Sequence, residues 1–307
     1  MPLWSPMRLL TLRFALDAPP GHGSSTQATS RPRAAKRQRT AATDPTDLAP
    51  RSIATVRLVE LIRELQGTAD HDDATHFGLF VWPSAEVLAH FVARHRERVV
   101  RGKVVLEIGC GTGLPGILAA VCGDPAAVYL TDRSDAADIQ RNVEANIALN
   151  GIGSTTRFLA LDWGRVDVSD QVLGVLATVD VLLAADCFYR SEGARVTSVI
   201  SSTDFEKVLA SVALVFRCNP RCRLYVTYQL RSITRSIAPL LARWRMTARA
   251  VDTKQFLPSE LEGDAAVLSN YDNDDSDNDG DGEHSMGVRE CTRDYANIFL
   301  YEISPAA

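Results

Sequence analysis

From residue 51 onward the chain alternates short β-branched apolar runs with longer amphipathic ones. The runs at 55–62 (TVRLVELI), 104–108 (VVLEI), 127–132 (AVYLTD), 155–162 (TTRFLALD), 179–186 (VDVLLAAD), 222–229 (CRLYVTYQ) and 296–304 (ANIFLYEIS) predict strands. Helical periodicity falls at 85–96, 115–121, 135–150 and 205–216. Several of the strand runs are apolar at consecutive positions, as strands covered on both faces must be. The alternation therefore predicts one doubly wound α/β domain over 51–307, with no internal repeat.

Two segments break this pattern. Residues 17–50 are rich in Pro, Gly, Ser, Thr and Ala with almost no large apolar side chains, so 1–50 reads as a disordered basic arm. Within it, RPRAAKRQR (31–39) has the composition of a nuclear localisation signal and equally of a solvated linker, while MRLLTLRFAL (7–16) is compatible with a mitochondrial presequence. The second segment, NYDNDDSDNDGDGE, makes 270–284 an expected disordered acidic insertion. Asp275, Asp277, Asp279 and Gly280 fit the start of a calcium loop, but its closing glutamate would fall at Met286.

Charge sharpens the picture. The net charge is −5, yet residues 1–51 carry eight Lys and Arg against three Asp, leaving −10 for the remainder. An acidic body suits a basic substrate rather than direct contact with nucleic acid. No apolar run reaches the roughly 18–20 residues of a membrane span, so no membrane partner is expected. Six cysteines without repeated spacing point to a reducing compartment, and neither Cys218 with Cys222 nor His76, His90 and His95 has the spacing of a metal site.

The chemistry concentrates at VVLEIGCGTGLPGILAA (104–120), a strand that breaks into glycine and opens a helix. Gly111-x-Gly113-x-x-Gly116, with Asp132 twenty-one residues after Gly111, satisfies a dinucleotide fingerprint. Glu107 stands two residues before Gly109, at the carboxyl end of the strand. A carboxylate there disfavours a pyrophosphate and favours a cofactor with a cationic amino-acid tail, which S-adenosyl-L-methionine has. Asp132 can accept from both ribose hydroxyls in either reading.

VLEIGCGTGLPGI also resembles motif I of the class I seven-β-strand methyltransferases, and most closely the lysine methyltransferase family 16, over most of residues 56–303. FGLFVWPSAEVLAHFV, LDWG and AADCFY are similar to three further segments of that family. The resemblance implies a Rossmann-like, seven-stranded, mostly parallel sheet with helices on both faces and an antiparallel last strand. It implies cofactor binding by Trp82, Glu107, Gly109, Cys110, Gly111, Gly113, Asp132, Trp163 and Ala185, and a catalytic Asp186-x-x-Tyr189 pair. VTYQLRS (226–232) and LPGILAAVCG are most similar to a histone-arginine methyltransferase branch of the family.

The expected activity is transfer of a methyl group to a nitrogen of an arginine or lysine side chain of a protein, a histone being one candidate. Asp186 would hold the cationic acceptor or take its proton, and Tyr189 would orient it. Tyr228, Gln229 and Arg231 lie on the same rim and are as consistent with ordinary strand ends as with substrate contact. The expected setting is the cytoplasm and nucleus, as a monomer or within a complex. A nicotinamide dehydrogenase and a non-catalytic cofactor-binding module remain as alternatives. The former lacks a Tyr-x-x-x-Lys or similar hydride pair, and the latter does not need Glu107, Asp132 and Asp186 together.

Overall fold

A two-stranded ribbon opens the chain. β1 (Met7–Leu16) pairs antiparallel with β2 (Ser52–Leu61), Met7 facing Leu61 and Leu16 facing Ser52. Ala54, Val56, Leu58 and Glu60 alternate inward along β2, the period of a half-buried strand. In this computed structural model the described residues are 7–16, 52–61, 78–187, 203–229, 237–258, 295 and 297–306. The expected disorder of 1–50 thus fails for residues 7–16, which form a strand; residues 17–50 and the acidic insertion at 270–284 lie outside the described residues.

The ribbon leads into α1 (Pro83–Val99), after which strands and helices alternate: β3 (Val104–Ile108), α2 (Leu114–Cys122), β4 (Ala127–Asp132), α3 (Ala137–Leu149), β5 (Thr156–Ala160), α4 (Asp170–Leu176), β6 (Val181–Ala185), α5 (Thr203–Cys218) and β7 (Arg223–Gln229). The domain closes with α6 (Ala238–Arg243), β8 (Met246–Val251) and β9 (Ile298–Pro305). The main sheet has seven strands in the order β5-β4-β3-β6-β7-β9-β8, and only β9 runs antiparallel to its neighbours.

Two corrections to the expected strands follow. The run at 55–62 falls, through Leu61, on β2, outside the main sheet, and the seventh sheet strand is β8 instead. As an edge strand β8 buries only Met246 fully, so MTARAV needs no apolar run and shows none.

Strand β3 carries the core on both faces. Val105 joins the cluster under α1, α2, α3 and the ribbon, while Leu106 and Ile108 join the cluster under α4, α5 and α6. The chain moves outward from β3 through β4 to β5, then returns to pair β6 with β3 on the other side. Loops leaving β3 and β6 at their carboxyl ends therefore diverge, opening a crevice there. Asn146 of α3, fully buried, ties the ribbon to this edge: its Oδ1 accepts from Val59 N at 2.7 Å and its Nδ2 donates to Thr112 O at 3.1 Å.

Candidate active site

The loop after β3 is shaped by close approach. At Gly111, with φ of +54°, an added Cβ would lie 2.8 Å from the Gly78 carbonyl oxygen, a backbone atom that cannot yield. Only glycine fits there without strain. Gly109 is covered by the Trp163 indole and the Cys187 thiol, which an added Cβ would meet at 2.6 and 3.0 Å. Gly116 packs against Leu130 and Glu107, where an added Cβ would meet side-chain atoms at 2.4 and 2.7 Å. Gly116→Ala is therefore expected to destabilise the fold by about 1–3 kcal/mol, as overpacking does. Urea unfolding checks this; a variant as stable as the parent contradicts the packing.

Three carboxyl groups meet at this edge. Glu107 is 1% exposed, and its Oε2 accepts from Gly116 N at 2.8 Å, satisfying an amide in the first turn of α2. Burial pushes its carboxyl up to about 8, against the Gly116 hydrogen bond and with a smaller push from Asp132. Asp132, half-buried at the end of β4, accepts from Gly111 N at 3.0 Å and from Arg133 N at 2.9 Å. Burial holds it above the usual carboxylate range despite both amides.

Asp186 follows β6 directly and is buried, with φ of +53° in the left-handed region. Its N–H donates to Thr227 O at 3.0 Å, which holds the turn against the end of β7. A left-handed non-glycine residue is uncommon, and Asp is among those that tolerate it best. The next residue, Cys187, reports the convergence. Its Sγ donates to Ile108 O at 3.1 Å, and burial first, then the Asp132, Asp186 and Glu107 carboxylates, push the thiol well above its ordinary range. Cys110 is likewise buried in the loop and raised by burial, then Asp132 and Glu107, so it is a packed thiol beside the crevice.

The aromatic residues sit at the rim. Trp82 is the half-buried N-cap of α1, its carbonyl accepting from Ala85 N at 2.9 Å, with its ring 6.4 Å from Phe80. Trp163 reaches the glycine loop from the chain following β5, and Ala185, Tyr228 and Gln229 end β6 and β7 on the same edge. Tyr189 and Arg231 lie outside the described residues. Gly78, Asn146 and Cys187 shape the loop without having been expected. For Asn146 a signal existed, a polar residue on the apolar stripe of α3; for the others the contacts are purely tertiary.

The donor set selects a ligand. Asp132 and Asp186 lie beside a loop whose Gly109 and Gly111 are only partly covered, an environment that repels two phosphates and attracts an organic cation. S-adenosyl-L-methionine, with its ammonium and sulfonium, fits these residues; a nicotinamide dinucleotide does not. The opposite end of the sheet is different, holding a cavity of about 350 Å³ lined by Arg98, Lys103, Arg221 and Arg223 with Asp180. Among the described residues, no group of His, Cys, Asp and Glu could hold a metal ion.

Comparison with known proteins agrees. The lysine methyltransferase family profile matches residues 64–211. The human histone-arginine methyltransferase METTL23 is 35% identical over 178 residues, covering 58% of this chain and 84% of that protein. The Xenopus laevis protein of the same name is 34% identical over 180 residues, covering 59% and 69%. The calmodulin-lysine N-methyltransferase of Arabidopsis thaliana is 34% identical over 113 residues, covering 36% and 35%.

Proposed function

Since this chain belongs to the lysine methyltransferase family of S-adenosylmethionine-dependent protein methyltransferases, we propose that it methylates a nitrogen of an arginine or lysine side chain in a basic protein. The observation that carries this reading is the meeting of the glycine loop, Asp132 and the Asp186 turn at the carboxyl edge of the sheet, where Asp132 accepts from Gly111 N and Cys187, next to Asp186, covers Gly109. When bound, S-adenosylmethionine supplies an already activated methyl group, so the chain needs no covalent nucleophile.

The residues then divide the work. The glycine loop offers backbone at close range, and Asp132, already fixed by Gly111, holds the ribose hydroxyls. Glu107, kept protonated at neutral pH by its burial, braces the loop from behind through Gly116 N, while Trp82, Trp163 and Ala185 wall the crevice. Asp186 meets the acceptor from β6, orients its cationic group and takes the proton that the nitrogen gives up on methylation. Tyr189, three residues on, completes the pair. Alignment accounts for much of the acceleration, because fixing both reactants turns a bimolecular step into a nearly unimolecular one.

Asp132→Ala is expected to weaken S-adenosylmethionine binding by about 2 kcal/mol, the order of a lost charge-assisted hydrogen bond. Calorimetry checks this, and unchanged affinity would remove the ribose role. A histone is the first acceptor to test, given the names of the relatives, and the basic cluster at 31–39 suits work in the nucleus as well as the cytoplasm. The test is incubation with labelled cofactor, histones and cell extract, with the methylated residue identified by mass spectrometry. Label on a side-chain nitrogen is expected. Tight cofactor binding with no protein label in any fraction would overturn the reading and favour the non-catalytic module.

A further inference from the structure

Glu86 is a carboxyl residue that the mechanism above does not use. It lies in the first turns of α1, between Ala85 and the fully buried Val87 and Leu88, and is only 5% exposed. Its Oε2 accepts from the hydroxyl of Tyr295, itself buried and 209 residues away in sequence. Burying a carboxyl in such a setting costs free energy that an amide would largely avoid.

The pair lies at the carboxyl edge of the sheet, where the start of α1 meets the end of β7 and the start of β9. Thr227, fully buried near the end of β7, donates through Oγ1 to Ser84 O at 2.8 Å and accepts from Asp186 N at 3.0 Å. The start of α1 and the Asp186 turn thus flank one residue. Gln229 pairs with Ile298, so Tyr295 sits just before β9 at this same edge. Ser84 Oγ is buried there without a hydrogen-bond partner among the described residues, as a hydroxyl reserved for a ligand would be.

Building on the methyltransferase reading, we propose that Glu86, fixed by Tyr295, adds a second carboxylate to the acceptor end and selects a guanidinium over an ammonium. An ammonium must lose its proton before it can attack, and each nearby carboxylate holds that proton more firmly. A guanidinium stays cationic in any case, presents a planar fork of donors, and gains from a second carboxylate that orients it. Two carboxylates at this end therefore penalise lysine and favour arginine.

The test uses Glu86→Gln, which keeps an oxygen to accept from Tyr295, and two peptides identical except for a central arginine or lysine. Each is titrated calorimetrically into the complex with S-adenosylhomocysteine and, separately, methylated in a single turnover. The parent is expected to favour the arginine peptide by at least about tenfold, and Glu86→Gln to cut that preference at least about fivefold. Melting temperature should stay the same or rise, and S-adenosylhomocysteine affinity should stay unchanged. Tyr295→Phe, which removes the hydroxyl that Glu86 accepts from but keeps the carboxylate, should lower the preference to a lesser extent. An unaltered preference in folded Glu86→Gln, or a parent that favours lysine, overturns this inference and leaves the methyltransferase reading standing. A parent that transfers to neither peptide counts against that reading, while the binding titrations still decide the role of Glu86.

Discussion

Asp186→Asn is expected to slow methyl transfer by about 10²-fold or more while leaving cofactor affinity nearly unchanged. Asparagine nearly preserves the shape, tolerates the left-handed φ of +53°, and keeps both an oxygen acceptor and the N–H bond to Thr227 O. It removes the charge that holds a cationic acceptor and the basic site that receives its proton. The cofactor side of the crevice, built from the glycine loop and Asp132, is untouched. Single-turnover methylation at saturating cofactor, with binding measured separately, gives the comparison. Transfer at the parent rate would make Asp186 a turn residue without a catalytic role.

Glu107→Gln is expected to stabilise the protein at neutral pH while leaving cofactor binding nearly unchanged. With the carboxyl pushed up to about 8, the folded protein holds a proton that the unfolded chain releases near pH 4.5. The native state therefore binds more protons between these values, and stability falls as pH rises through that window. Glutamine carries no such penalty and still offers an oxygen to Gly116 N. At pH 7 the variant should gain about 3 kcal/mol, with the gain shrinking toward pH 5. Its affinity for the cofactor at pH 7 should stay nearly unchanged, since the buried carboxyl is already neutral there. Urea unfolding at pH 5 and pH 8 checks the first effect and calorimetry the second. A stability difference independent of pH, or a large loss of affinity at pH 7, would contradict the assignment.

The parts legible in sequence were those with local signatures. The step from VVLEI into spaced glycines marks β3 and its loop, and the offset to Asp132 places the next strand end beside it. The run VDVLLAA ends where Asp186 must emerge, and β6 does pair with β3. The parts that escaped depend on distant partners. MRLLTLRFAL has no local feature separating a strand from a leader, because its pairing partner β2 follows only after a long polar segment. β8 is mostly exposed and lacks an apolar signature. Glu86 reads as one polar position in a helix until Tyr295 arrives beside it from the far end of the chain. Cys187 gains meaning only when β3 and β6 lie side by side.

The central claim is that the acidic crevice at the carboxyl ends of β3, β4 and β6 is where the cofactor and the acceptor meet. The most direct measurement is a crystal structure of the protein with S-adenosylhomocysteine. The account predicts the ligand against Gly109–Gly113, its ribose hydroxyls within hydrogen-bond distance of Asp132 and its sulfur on the side of Asp186. A ligand seated elsewhere, for example in the basic cavity beside Arg98 and Arg223, or one whose sulfur points away from Asp186, would contradict it.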